Sequence, residues 1–309
     1  MNSRQHTAGG IVAAAVAGSL VLGIAPAALA DDATSTAEHA ASVVERATGT
    51  EGLAPTVDGV AATDGRTGRV RVAVPETSGG AVEAIAADGT KVALGLPRTR
   101  DVTGVRAGAG TVVYPDAAPA TDIAVQATTD GGARAVATLK NSEAPAEQRY
   151  TLDLPAGTEA VANDTGGYDL VRAVDGGMAV AVGQIDAPWA KDAKGSPVAT
   201  SYRLEGSTLV QKVEATKDTA FPVVADPKVT WGYVTGTIYF NRGETRSIAL
   251  GGGLGATAIA AIPGGLTTVV GVTMAAITAR AAAAYDRGRC LKIKLPHVYP
   301  DHYAGGYCQ

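Results

Sequence analysis

Between residues 57 and 227, apolar and polar side chains alternate with a period of two over many short stretches. Residues 69–74, 122–128, 149–154, 168–174 and 178–184 each show it, and that period turns one face of an extended chain toward a core and the other toward water. Asp130-Gly131-Gly132 and Asp175-Gly176-Gly177 interrupt the pattern. Both are tight-turn chemistry, because glycine reaches positive φ without steric cost. The spacing predicts hairpins that pair 123–128 with 133–139 and 168–174 with 178–182. No long helical period lies between the strands, so an antiparallel sandwich is expected rather than βαβ units.

Helical periods flank this region. Over 31–50, Ala37, Ala40, Ala41, Val44 and Ala47 fall on one stripe, Ser35 and Glu38 have capping-box spacing, and Gly49 is placed to stop the helix. After a β-like run at 229–240, residues 247–279 contain no charge over 33 positions. Pro263-Gly264-Gly265 divides this stretch into 254–262 and 266–284, which predicts an apolar helical hairpin. Gly271, Ala275, Ala279 and Ala283 recur at i+4, the device by which helices approach closely. Beyond it, Lys292 and Lys294 alternate with Leu291, Ile293 and Leu295 as in a strand. The expected fold is therefore mainly β: a β-sandwich-like domain over 51–228 and a small C-terminal α+β module over 229–309 that holds the hairpin.

The N-terminus adds a compartment. Arg4, an uncharged apolar stretch over 11–25, Pro26 and the small-x-small site Ala28-Leu29-Ala30 have the order of a signal peptide, with Asp31-Asp32 at the mature start. The expectation is a secreted or extracellular protein, with association to the cell surface as a further option, whose signal peptide is residues 1–30. Its two cysteines, Cys290 and Cys308, are then expected as a disulfide. A net charge of −4 gives no basic character to argue for nucleic acid.

A resemblance runs through the β region. Thr111-Val112-Val113-Tyr114-Pro115-Asp116, residues 123–128, Tyr150-Thr151-Leu152-Asp153-Leu154, residues 187–195 and Phe221-Pro222-Val223-Val224-Ala225-Asp226-Pro227 follow in order. Over 105–228 this resembles the β-domain that precedes repeat or toxin regions in cell-surface and Rhs-type proteins of high-GC Gram-positive bacteria. With Asn241-Arg242-Gly243-Glu244-Thr245, the Gly/Ala-rich apolar stretch, Cys290-Leu291-Lys292-Ile293-Lys294 and the late Cys308, residues 229–309 resemble C-terminal modules of small exported proteins of unknown function from the same bacteria. The resemblance implies a structural or presentation module and brings no catalytic residue with it.

The candidate chemistry is sparse. A nucleophilic hydrolase needs a hydroxyl or thiol beside a base, yet the only histidines after residue 30 are His39, His297 and His302, and no Gly-x-Ser-x-Gly elbow occurs. His297, Asp301 and His302 are the one weak metal-ligand set. Gly251-Gly252-Gly253 lacks the Lys and Ser/Thr of a phosphate loop. No cofactor and no enzymatic activity are expected. The expected function is an extracellular or cell-surface interaction protein that binds another protein or a cell-wall component. The alternative is a membrane-active, bacteriocin-like effector. In that reading the hairpin 247–284 inserts into an anionic membrane and Arg280, Arg287, Arg289, Lys292 and Lys294 hold its surface, with Gly271, Ala275 and Ala279 as contact positions.

Overall fold

The computed structural model describes residues 26–65, 68–174, 178–232, 237–252, 274–294 and 299–308. Two antiparallel sheets face each other. Sheet I has seven strands in the order β1 (Val60–Gly65), β2 (Gly68–Ala73), β3 (Ala81–Ile85), β4 (Lys91–Gly95), β9 (Glu147–Asp153), β15 (Thr208–Val213) and β14 (Thr200–Glu205). In β9 the predicted alternation is complete: Gln148, Tyr150 and Leu152 point inward, while Glu147, Arg149, Thr151 and Asp153 are exposed.

Sheet II is larger. Its main path runs β20 (Tyr299–Tyr303), β19 (Cys290–Lys294), β18 (Thr237–Phe240), β12 (Met178–Ile185), β17 (Lys228–Trp231), β8 (Gly132–Leu139), β7 (Thr121–Ala127), β6 (Thr111–Ala118) and β5 (Val105–Ala107). The pair β10 (Thr158–Ala162) and β11 (Tyr168–Val174) joins it at β12, and β13 (Ala190–Lys191) and β16 (Val223–Ala225) join it at β8. Both predicted hairpins form: β7 pairs with β8 and β11 with β12. In the first turn Gly131 takes φ +86°; Asp175, Gly176 and Gly177 lie outside the described residues.

One core fills the space between the sheets. Val70, Val82, Leu94, Tyr150 and Leu209 of sheet I meet Tyr114, Ile123, Leu170, Val182 and Trp231 of sheet II. Trp231 is 1% exposed and satisfies its indole N–H on the Thr90 carbonyl of sheet I at 3.2 Å, so a large side chain is buried with its polar atom paired. Gly183 makes room for it. A Cβ there would stand 2.5 Å from the Thr230 carbonyl oxygen and 2.9 Å from the Trp231 ring.

The outer face of sheet II is covered by helix α1 (Pro26–Thr48). The predicted stripe is its docking face: Ala37, Ala40, Ala41 and Val44 are buried against Val113, Ala124, Val136 and Val224. Gly49, at φ +76°, donates to the Glu45 carbonyl and closes the helix as predicted. The start differs from expectation. The helix already runs from Pro26, so Ser35 is an interior residue and Glu38 is free of capping. Glu38 accepts instead from the backbone N–H of Gly108, and Glu45 from those of Ala109 and the hydroxyl of Thr111, which pins the helix to the β5–β6 turn.

The C-terminal region continues sheet II without a break, since β18 pairs with β12 and β19 with β18. Residues 242–249 form a helix the alternation did not predict, α2 (Arg242–Ala249). Asn241 and Glu244 cap it reciprocally. Together with α3 (Met274–Asp286) it covers the inner face of the added strands, with Ile248, Ile277 and Ala281 on Phe240, Leu291 and Ile293. Of the predicted apolar hairpin, 254–262 and 266–273 lie outside the described residues. Residues 274–284 belong to α3, and among the described residues no helix is long and apolar enough to cross a membrane. Cys290 and Cys308 form the expected disulfide.

Candidate functional site

The loop from β10 to β11 is built on one side chain. Asn163 Oδ1 accepts from the N–H groups of Thr165 and Gly167 and from the Thr165 hydroxyl, at 2.7–3.1 Å, so the amide replaces backbone partners in a tight turn. The turn presents Asp164 to β19. Lys292 and Lys294 stand on the same face of that strand, as their two-residue spacing dictates. Both reach Asp164: Lys292 Nζ lies 3.1 Å from each carboxylate oxygen and Lys294 Nζ 2.7 Å from one.

Beside this trio opens a cavity of about 460 Å³, whose wall continues through Asp169, Gln184, Asp186 and Thr237. Asp169 accepts from the Asn163 amide at 3.0 Å and from the Tyr239 hydroxyl in a short bond. Gln184 Nε2 donates to Asp186 at 2.6 Å. The two lysines hold Asp164 below the usual carboxylate range, Lys294 by the larger share. In return Asp164 raises the Lys294 ammonium. Burial raises the Tyr239 phenol, and the Asp169 charge adds to it, so Tyr239 stays a donor.

Lys292 is 2% exposed. A buried ammonium is tolerated only when a carboxylate faces it, and Asp164 does so while remaining half exposed itself. The lining thus sets three aspartates, Asp164, Asp169 and Asp186, against two lysines, and is rich in donors and acceptors. Such a wall positions hydroxyl and amide groups of a polar ligand. Among the described residues no group of three His, Cys, Asp or Glu is placed to hold a metal ion.

The sequence-predicted residues distribute unevenly around this site. Lys292 and Lys294 are in it, and Asp301 adjoins it, 3.3 Å from Lys294. His302 sits on β20 next to Asp301, with 3.6 Å between imidazole and carboxylate. Cys290 is buried at the start of β19, tied to Cys308. Ala275, Ala279, Arg280, Arg287 and Arg289 are exposed; α3 docks through Ile277, Ala281 and Ala284 instead. Gly271 and His297 lie outside the described residues. Sequence reasoning missed Asp164, Asp169, Gln184 and Asp186, which come from strands and loops distant in the chain. The signal that could have found the loop is Asn163 followed by Gly166-Gly167, a turn composition that the sequence reading passed over. No known protein family, no curated protein and no solved structure matches this chain.

Proposed function

We propose that the protein is a secreted, non-enzymatic interaction module of the cell exterior, and that the cavity beside Asp164, Lys292 and Lys294 is where it binds. The observation that supports this is a buried ammonium, Lys292, facing a carboxylate that it shares with Lys294 in the wall of an open polar cavity. Walls dense in hydrogen-bond donors and acceptors suit hydroxyl-rich ligands, and a cell-wall glycan has that chemistry. Titrating soluble wall fragments into the protein by calorimetry tests it. Lys294→Ala and Gln184→Ala each weaken binding about tenfold, the loss of one good hydrogen bond. Absence of binding to fragments and to whole walls sinks the reading.

A second reading rests on α3. Arg280, midway along the helix, and Arg287 and Arg289, just past its C-terminal end, are exposed, and in the chain they follow the uncharged stretch 247–279. This suits an anionic membrane surface. Leakage of dye from anionic but not neutral vesicles supports it, and intact vesicles at low salt remove it.

A further inference from the structure

Asp226 and Pro227 form the single Asp–Pro bond in the sequence. They sit where one extended run along β8 changes its other neighbour. β16 pairs with β8 and β13, and after Pro227 the chain continues as β17 between β8 and β12. Both residues are buried, Asp226 to 1% exposure. Because proline nitrogen carries no N–H and is more basic than an ordinary amide nitrogen, this peptide link gains nothing from the ladder at its nitrogen and has a good leaving group.

Two donors reach Asp226, one at its backbone carbonyl and one at its carboxyl. Tyr202 of β14 reaches across from sheet I and donates its hydroxyl to the Asp226 backbone carbonyl at 2.9 Å. Burial holds the Tyr202 phenol well above its usual range, so it remains a donor. The backbone N–H of Trp189 donates to the Asp226 carboxyl at 3.4 Å. Tyr150 of β9 is buried nearby, and its hydroxyl has no partner among the described residues. The charges that face Asp226 are Asp186, after β12, and Arg134 of β8, whose Nη1 is likewise buried without a partner. Lys228 of β17 is drawn away, to Asp130 at 2.5 Å and Asp186 at 4.0 Å. Burial first, and repulsion from Asp186 after it, push the Asp226 carboxyl up to about 7. At neutral pH a large share of it keeps its proton.

We propose that the folded chain cuts itself at Asp226–Pro227, with the Asp226 carboxyl as nucleophile and Tyr202 stabilising the oxyanion. A carboxyl oxygen adds to the carbonyl carbon of the same residue, closing a five-membered ring. Charge develops on the carbonyl oxygen that Tyr202 already contacts, the position where a fixed donor is most effective. The C–N bond to Pro227 breaks, its electron pair stays on nitrogen, and nitrogen takes the proton the carboxyl carried. The resulting cyclic anhydride is opened by one water, leaving two carboxyl groups on Asp226 and a free secondary amine on Pro227. Both reacting groups belong to one residue, so no encounter is needed. The pieces stay together afterwards, because β17 remains paired with β8 and β12 and Trp231 remains in the core.

The test is denaturing mass spectrometry of the purified, folded full chain during long incubation between about pH 5 and about pH 9, the window that spans the Asp226 titration. Fragments ending at Asp226 and beginning at Pro227 are expected, co-eluting in native gel filtration. The rate falls as pH rises through about 7. Pro227→Ala, which restores an ordinary amide, abolishes the cut, and Tyr202→Phe, which keeps the ring, slows it at least ~10-fold. Asp226→Ala also abolishes it; if that variant fails to fold, the other two decide. A folded parent chain that stays whole overturns the proposal. So does a cut that persists in Pro227→Ala, or one that appears only after acid has unfolded the chain, since any Asp–Pro bond breaks that way.

Discussion

The same buried carboxyl makes the stability of the fold depend on pH in a direction opposite to that of most aspartates. Asp226 is 1% exposed, and its carboxyl titrates at about 7 in the fold against 3.8 in the open chain. Below 3.8 it is neutral in both states and its titration has no effect on stability. Between 3.8 and about 7 the unfolded chain releases the proton while the folded chain retains it, so stability falls as pH rises, and above 7 the full cost is present. That rise corresponds to ~4 kcal/mol. Asp226→Asn keeps the shape of the protonated side chain and cannot ionise. The variant is therefore expected to be more stable than the parent by about 4 kcal/mol at about pH 8, and equal to it near pH 4. Urea unfolding of freshly prepared, uncut protein, followed by tryptophan fluorescence across this range, measures it, because the other acids titrate alike in both proteins and cancel. A difference that does not change with pH would refute the reasoning, as would a variant less stable than the parent under alkaline conditions.

Other perturbations have equally definite outcomes. Asp164→Ala leaves the Lys292 ammonium buried and unpaired and should cost about 2–3 kcal/mol, the low side for a broken buried pair because Asp164 is half exposed. Lys294→Ala, at an exposed end of the same cluster, should cost less than about 1 kcal/mol in the same urea assay. Reducing Cys290–Cys308, which are 18 residues apart, should remove about 3 kcal/mol. Hydrogen exchange should then accelerate first in β19 and β20; uniform loss of protection would argue against a local role. Gly183→Val forces a side chain to within 2.5 Å of the Thr230 carbonyl, so a shifted β17 and a loss of at least about 2 kcal/mol are expected. An unchanged unfolding midpoint would show that β17 can move freely.

What was legible in the chain was local. The Ala37–Ala40–Ala41–Val44 stripe records the docking of α1 because a helix writes its buried face at fixed spacing. The β7–β8 and β11–β12 hairpins were visible because turn and strands are contiguous. The helix start was misplaced because Ser35-x-x-Glu38 has the same spacing whether it caps a helix or lies inside one. α2 was overlooked although Asn241-x-x-Glu244 is a capping signal; its glycine and short length gave too little periodicity. The candidate site was half hidden for a different reason. Lys292 could be singled out as part of a basic strand, but Asp164 is 128 residues away, and only the order of sheet II joins them. Alternation fixes which face a residue takes, not which distant strand lies opposite.

β17 occupies the middle of sheet II yet is contributed from beyond residue 227, after both of its neighbours, β8 and β12, have been made. A nascent chain that has emerged only as far as Pro227 therefore has a slot in its sheet with a hydrogen-bonding edge on each side. Such edges accept any extended segment that fits. Until the chain's own strand arrives, the slot is open to a strand from a second molecule, and a peptide carrying residues 227–231 is the natural plug for it, with Trp231 as the anchor that selects the right occupant.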